Sequence, residues 1–236
     1  MTMKSGLTLL PDESRSLRQA TIGNRVFEAL RKAIVQLQLR PGNPLSEADI
    51  GRQLGVSRQP VREAFIKLAE IGLVEIRPQR GTFVRLISVR EVQNARFLRE
   101  AIEVAIARKA ASQTTLERVR GLRSIVEEQH IAAREGDTVS FLRLDEAFHQ
   151  ALARSVDCED AWRVLEGLKA QMDRVRYLSL PDATPLEIII AQHQKIVDGV
   201  EGGSSEQAET AMRHHLSEIL ISLPKLAKER SEFFTD

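Results

Sequence analysis

Residues 46–72 read SEADIGRQLGVSRQPVREAFIKLAEIG, and this stretch predicts two short helices joined by a tight turn. Ser46 precedes acidic residues, which is typical of a capped helix start, and Gly55 is typical of a helix end. Ser57 then caps a second helix whose first turn contains Pro60, where a missing N–H costs little. This pattern is typical of a helix-turn-helix, whose second helix enters the DNA major groove.

The flanking sequence completes a winged domain. One apolar face recurs every four residues before the turn, at Ile22, Val26, Leu30 and Ile34. After the second helix, residues 73–76 and 82–86 have the pattern of two strands joined by the basic turn 77–81. The order of three helices and a β-hairpin predicts a winged helix-turn-helix over residues 18–87, preceded by a mobile polar tail at 1–17.

Charge is divided unevenly along the 236 residues. Residues 1–88 carry 14 Lys and Arg against 8 Asp and Glu, whereas residues 89–236 carry 20 against 25. A basic first part on an acidic second part favours a polyanionic partner such as double-stranded DNA. The chain has a single cysteine, Cys158, and no apolar run of about 18 residues, so we expect a cytoplasmic protein that does not span a membrane.

Basic side chains at the start of the second helix are suited to DNA. Arg58, Gln59 and Arg62 lie off its apolar face, and an arginine that pairs with guanine discriminates by about 1–3 kcal/mol. The tip of the hairpin at 80–81 suits a wing in the minor groove, because glycine lets the backbone approach closely. The alternative is that Arg58 and Arg62 only solvate a helix in a protein-interaction domain.

The motif LGVSRQPVREA at 54–64 is similar to the signature of the GntR family of regulators. The turn at 41–42 and the segment RGTFV at 80–84 share this resemblance, which covers nearly all of residues 18–86. It implies a metabolite-responsive transcription regulator, expected to be a repressor, that works as a homodimer on a near-palindromic operator.

The same resemblance implies roles for individual residues in DNA binding. Arg58 and Arg62 contact bases or phosphates, and Ser57 contacts a phosphate. Some members of the family place a DNA-contacting arginine where this chain has Ala48, and Arg52, one turn later, is the candidate substitute. The predicted DNA-binding set is Ser46, Arg52, Ser57, Arg58, Gln59, Arg62, Arg80 and Gly81.

From Val89 onward the apolar period is helical throughout, which predicts an all-α antiparallel bundle over residues 89–229. The whole chain is therefore expected to be mainly α. Turn and cap residues divide the bundle into six predicted helices, near 89–112, 115–135, 138–155, 159–179, 185–201 and 205–229.

Four residues of this bundle could form a metal site. Asp145 and His149 are four residues apart and share a helix face, while His193 and His215 lie on two later helices. Three imidazoles and one carboxylate suit a borderline divalent ion such as zinc, nickel or manganese. A histidine on a helix is more often a core or surface residue than a ligand, so the spacing alone leaves both explanations open.

The second half also resembles a known domain. The motifs DEAFH at 145–149, HQKI at 193–196 and AMRHHL at 211–216 resemble the FadR-type C-terminal (FCD) ligand-binding domain of the FadR branch of the GntR family. Six helices fit its vanillate-regulator-like subgroup. Gln192 stands where members often have Glu. The resemblance implies that the Asp145, His149, His193 and His215 set binds a divalent metal, which holds a small carboxylate effector.

Similar regulators aim an arginine from the first helix of this domain at the effector carboxylate. Arg99 is the leading candidate for this role, and Arg96 and Arg174 are weaker ones. The alternative for Arg99 is an ion pair with Glu103, four residues later.

Two other functions use the same residues. A metalloenzyme would leave the winged helix unexplained, and no further residue stands out as a general base or nucleophile, so we expect no enzyme. A regulator for which the metal itself is the signal remains an alternative to one that responds to an organic acid.

Overall fold

The computed structural model describes residues 22–113, 115–179 and 185–236. These residues form two compact units. The first contains the described residues up to Glu91 together with 170–177 and 227–236, and the second contains the described residues of 92–169 and 178–226. The tail predicted at 1–17 lies outside the described residues.

Three helices and a three-stranded sheet form a winged helix in the first unit. They are α1 (Ile22–Val35), β1 (Pro44–Leu45), α2 (Glu47–Leu54), α3 (Arg58–Glu70), β2 (Val74–Arg77) and β3 (Gly81–Val84). The strands are antiparallel in the order β1-β3-β2, and Thr82 of β3 stands between Leu45 and Ile76. The apolar face of α1, which includes Leu30, packs with Phe65 of α3 in one buried cluster.

The remaining elements follow in chain order. They are β4 (Ile87–Ser88), α4 (Val89–Gln113), α5 (Leu116–Arg134), α6 (Thr138–Arg154), α7 (Glu159–Leu168), α8 (Ala170–Ser179), α9 (Leu186–Glu201), α10 (Ser205–Glu229), a 3₁₀ turn (Ser231–Phe233) and β5 (Phe234–Thr235). Strands β4 and β5 pair in parallel, with Ile87 opposite Phe234.

Helices of the second unit pack around a core of small, branched and aromatic side chains. Phe141 and Phe148 of α6 are fully buried there, together with Val197 of α9. At Gly199 an added Cβ would lie 2.6 Å from the backbone nitrogen of Ala208, so the start of α10 approaches α9 where no side chain intervenes.

The prediction of a single helix over 159–179 is wrong, because the structure divides it into α7 and α8 at Lys169. Among the described residues the second half of the chain therefore has seven helices, not six. Leu165 packs in the core of the second unit, whereas Ala170 packs in the apolar cluster of the winged helix. Apolar residues occur on both sides of the break. The apolar periodicity of the sequence therefore continues across it and gives no sign that the helix ends.

The predicted fold class is confirmed: the chain is mainly helical, with a winged helix-turn-helix followed by a helical domain. No helix in the described ranges combines the length and the apolarity that crossing a membrane requires.

Candidate DNA-reading surface and metal centre

A tight turn between α2 and α3 fixes the start of the second helix. The Ser46 hydroxyl caps α2 by accepting from the Asp49 N–H at 3.3 Å, and Gly55 ends α2 in the left-handed conformation with φ of 66°. Ser57 has extended backbone before α3, and its side chain makes no capping hydrogen bond with the described residues. The hydroxyl of Ser46 is therefore used by a helix, whereas that of Ser57 can accept a new partner.

The exposed face of α3 carries three of the predicted DNA-reading side chains. Arg58, Gln59 and Arg62 are all exposed, whereas the apolar face of the same helix is buried. Gln59 Nε2 donates to Glu63 at 3.1 Å. Arg62 donates from Nε and Nη2 to the two carboxylate oxygens of Glu47, at 2.9 and 3.1 Å.

The other predicted DNA contacts lie on α2 and at the hairpin tip. Arg52 is exposed and forms an ion pair with Asp49, one turn earlier. Arg80, just before β3, and Gly81, its first residue, are exposed, and Gly81 has a φ of 104° that favours glycine. All these side chains belong to the first unit and face solvent, as a DNA-binding surface requires.

The four predicted metal ligands come together in the core of the second unit. Asp145 and His149 project from α6, His193 from α9 and His215 from α10, and all four are buried. One donor atom of each lies within 4.8 Å of the others. His149 Nε2 is 3.1 Å from His215 Nε2, and the Asp145 carboxylate is 3.7 Å from His193 Nε2. Three nitrogens and a carboxylate at one point form a donor set for a divalent ion.

Each of the three imidazoles is also held at its other nitrogen, Nδ1. The partners are side chains from α4, α5 and α9: Glu103 for His149, Gln129 for His193 and Gln192 for His215. Gln129 and Gln192 accept at 2.8 and 3.0 Å. Metal-binding histidines characteristically donate their second ring nitrogen to a carboxylate or carbonyl oxygen, which fixes the ring and its tautomer.

Two of these partners indicate which nitrogen of their ring carries the proton. Gln192 Nε2 donates to Glu218 at 3.0 Å, so its oxygen faces His215 and accepts from Nδ1. The Glu103 carboxylate lies against His149 Nδ1, and its negative charge favours a proton on that nitrogen. Both rings then point the lone pair of Nε2 inward, 3.1 Å apart. Two lone pairs at this distance repel each other unless a cation or proton lies between them, so the residues present fit a metal ion.

Burial and charges around the cluster favour the protonation states in which these side chains can bind or support a metal ion. Burial lowers the pKa of His215 well below its usual 6.5, and the rings of His193 and His149 lower it further. Burial raises the pKa of Glu103, but Arg99 and His149 outweigh it and bring this pKa to about 2. At neutral pH, His215 is therefore a neutral imidazole and Glu103 is a carboxylate.

The three predicted effector-binding arginines lie in different places. Arg99 is buried and paired with Glu103, which links it to His149. Arg96 forms a partly buried ion pair with Glu100. Arg174 is buried in the first unit, whereas the set of ligands belongs to the second.

Arg174 bonds to groups of the winged-helix unit. It donates from Nη1 to Gln171 Oε1 and from Nη2 to the Arg85 carbonyl, both at 2.8 Å. Burial lowers the pKa of Arg174 to about 9, so the side chain is still a cation at neutral pH. Arg174 is therefore placed to hold α8 on the winged helix rather than to meet an effector at the metal ligands.

Sequence reasoning did not identify the residues that orient the imidazoles. The sequence points to Glu103 only as a partner of Arg99, to Gln192 only as a departure from the family pattern, and to Gln129 not at all. Gln129 lies on the buried stripe of α5, where it continues the spacing of three or four residues set by Val119, Leu122 and Val126. A polar residue on that apolar stripe is the signal that could have revealed it.

Comparison with known proteins was consistent across both parts of the chain. Residues 22–84 match the family model "Bacterial regulatory proteins, gntR family", and residues 95–218 match the model of the FCD domain. The HTH-type transcriptional repressor RspR of Escherichia coli (strain K12) is 42% identical over 215 residues, which cover 91% of this chain and 94% of RspR.

Two further relatives agree. An HTH-type transcriptional regulator in an unstable DNA locus of Streptomyces ambofaciens is 35% identical over 209 residues, 89% of this chain and 88% of the relative. The solved structure of E. coli McbR/YncC has a TM-score of 0.76 at 18% identity and covers 88% of this chain and 99% of that chain, which shows a shared fold.

Proposed function

The chain belongs to the gntR family of bacterial regulatory proteins and carries an FCD domain, and from this premise we propose that it is a metal-dependent, ligand-responsive repressor. That it is a DNA-binding transcription regulator, and not an enzyme, follows from the family itself. The proposal adds what the helical domain binds and how binding reaches the DNA-reading half.

One divalent ion, zinc, nickel or manganese, is proposed to bind Asp145, His149, His193 and His215. The observation that carries this is the 3.1 Å approach of two Nε2 atoms whose rings are protonated at Nδ1. A bound cation turns that repulsion into attraction, and the protein supplies four ligands already oriented by their neighbours. The positions left open on such an ion take oxygen ligands from a small molecule.

A small organic acid is the proposed effector because of the charges around the site. A divalent ion and Arg99 bring three positive charges against the two negative charges of Asp145 and Glu103. A monocarboxylate neutralises the charge that remains. Arg99 uses Nε for Glu103, and its two terminal nitrogens can donate side by side to a second carboxylate.

Helix α8 is the proposed route from the effector to DNA. It lies within the stretch that matches the FCD domain, yet it packs on the winged helix. Ala170 joins the apolar cluster there, Gln171 Nε2 donates to the Gly72 carbonyl at 2.6 Å, and Arg174 donates to the Arg85 carbonyl. An effector that binds more tightly when α8 packs in one position than in another favours that position. The difference between its two binding free energies sets how far operator affinity changes.

A homodimer on a near-palindromic operator completes the proposal. Helix-turn-helix proteins bind two half-sites that mirror the two-fold symmetry of the protein. Operator binding is expected without effector and weakened with it, as in a metabolite-released repressor.

The proposal is tested with two measurements on the same preparations. Small organic acids are screened by thermal shift on the metal-loaded protein, since a bound ligand raises the midpoint by mass action. Acids that bind are then titrated against complexes with a DNA fragment from the region upstream of the protein's own coding sequence, with and without chelator. We expect DNA release only when acid and metal are both present.

A matched pair of variants sharpens the test. His215→Ala should lose the response to acid and keep DNA binding, whereas His214→Ala, at the exposed neighbouring position, should keep both. DNA release by metal alone would instead make the metal the signal. An unchanged acid response in His215→Ala would contradict the proposed site.

A further inference from the structure

The guanidinium of Arg62 on the recognition helix is held by a carboxylate from the preceding helix, and we infer that Glu47 is a positioning residue for sequence reading by Arg62. This inference rests on the proposed DNA-reading role of Arg62 and extends it to a residue that does not itself touch DNA. Glu47 is the first residue of α2, and Arg62 lies one turn into α3.

The pair has the side-by-side geometry of an arginine fork on a carboxylate. Nε and Nη2 of Arg62 each donate to a different oxygen of Glu47, at 2.9 and 3.1 Å. A guanidinium has five N–H donors, and this contact uses two of them on one edge. The remaining donors include one on each terminal nitrogen, and these form the parallel pair that guanine O6 and N7 accept. One edge can thus be fixed by protein while the other reads a base.

Holding Arg62 in place before DNA binds affects selectivity because it removes the rotamer freedom of this side chain. A free arginine adapts its rotamer to a guanine or to a nearby phosphate, whereas an anchored one keeps its free edge in a single plane. Arg58, also exposed, has no partner among the described residues and retains that adaptability. The two arginines therefore differ in kind: Arg62 is organised for one base, and Arg58 is free to follow the phosphate backbone.

Stability does not explain the pair. The side chains of Arg62 and Glu47 are 61% and 27% exposed, and exposed ion pairs contribute little to folding. A carboxylate on a surface that meets phosphates also weakens DNA binding in general, because it repels the polyanion. Glu47 thus lowers affinity for any DNA and raises the preference of Arg62 for one base, which is the signature of a residue that contributes specificity.

The experiment compares two duplexes. One is the tightest-binding duplex that the wild-type protein selects from a randomised pool, and the other has the same bases in shuffled order. Affinities of the full-length chain for both are measured by fluorescence anisotropy at fixed salt. For Glu47→Gln we expect tighter binding to the shuffled duplex and a selected-to-shuffled ratio that falls about tenfold per half-site.

Single base-pair substitutions in the selected duplex identify where specificity is lost. Glu47→Gln and Arg62→Ala should relax preference at the same base pair, and adding Glu47→Gln to Arg62→Ala should change the ratio no further. Glu70→Gln, which removes an equal charge from the far end of the recognition helix, should leave the ratio at its wild-type value. Thermal melting of each variant verifies that it is folded.

One outcome would overturn the proposed role of Arg62, and another would overturn the inferred role of Glu47. If Arg62→Ala keeps the wild-type ratio, Arg62 does not read a base, and the proposed role of that arginine fails. If Arg62→Ala lowers the ratio but Glu47→Gln does not, or if Glu47→Gln acts equally in the Arg62→Ala background, Glu47 does not work through Arg62 and the inference is wrong.

Discussion

Replacing Gln192 by leucine removes its hydrogen bonds with His215 and Glu218 without changing any of the four proposed metal ligands. Gln192 is buried on α9, and its oxygen accepts from Nδ1 of His215 at 3.0 Å. Leucine has a similar volume and no acceptor. The His215 ring then loses the group that fixes its tautomer, so Nε2 is no longer held as the metal-facing lone pair.

The expected loss of metal affinity follows from the known effects of residues that hydrogen-bond to a metal-binding histidine. Their loss lowers metal affinity by about 10- to 100-fold, which is about 1.4–2.7 kcal/mol. Because metal stabilises the folded chain by mass action, the stabilisation at a fixed saturating metal concentration falls by the same amount. At roughly 2–4 °C per kcal/mol for a chain of this size, the metal-induced rise in Tm should shrink by about 3–11 °C.

The assay is a metal titration against a chromophoric chelator, together with melting in metal and in chelator. Gln194→Leu is the matched control: it lies two residues away on α9, but its amide donates to Asp198 at the surface. We expect wild-type affinity for the control. Equal affinities for the Gln192→Leu and Gln194→Leu variants would refute the claim that Gln192 orients a metal ligand.

Three other predictions follow from the geometry. Arg58→Ala and Arg62→Ala should each weaken operator binding, by about 1–3 kcal/mol per half-site for an arginine that reads guanine, with melting unchanged; unchanged anisotropy titrations for both would contradict the assignment. Gly199→Ala should lower the free energy of unfolding by about 1–3 kcal/mol in urea denaturation, because its Cβ would press on the backbone of α10, whereas Gly121→Ala, with open space, should be neutral or stabilising; similar values for the two would exclude close packing at 199. Metal affinity should hold as pH falls through 6.5, since burial lowers the pKa of His215 and a proton competes for this ring only at lower pH; an affinity that already falls in proportion to proton concentration from pH 6.5 downward, measured by equilibrium dialysis at several metal concentrations, would show an ordinary imidazole.

Much of the fold could be predicted because local rules and tertiary packing agree. Ser46, Gly55 and Ser57 are cap residues in the sequence and stand at helix boundaries in the structure. The alternation of apolar and polar residues in the hairpin, and the recurrence of apolar residues along α1, likewise follow from which face of each element is buried. Where two packing environments share one apolar period, as on either side of Lys169, the pattern cannot show that the helix breaks.

The clustering of the four proposed metal ligands could be predicted, and the residues around them could not. Asp145 and His149 share a face by spacing alone, His193 and His215 were candidates on two later helices, and the resemblance implied that all four act together. The Nδ1 partners depend on how α4, α5 and α9 pack around these rings, which no spacing along one helix encodes. Arg174 is the opposite case: its place in the sequence suggests the effector site, but α8 packs with the winged helix.

We propose that four side chains from three helices hold a single metal ion that the sensing half needs. Native mass spectrometry and elemental analysis of the full-length chain, purified without chelator, test it directly. We expect one divalent ion per chain in the wild-type protein and in His214→Ala, and none in His193→Ala. Equal metal content in the wild-type and His193→Ala proteins, or no metal in a wild-type protein dialysed against zinc, nickel and manganese in turn, would contradict it.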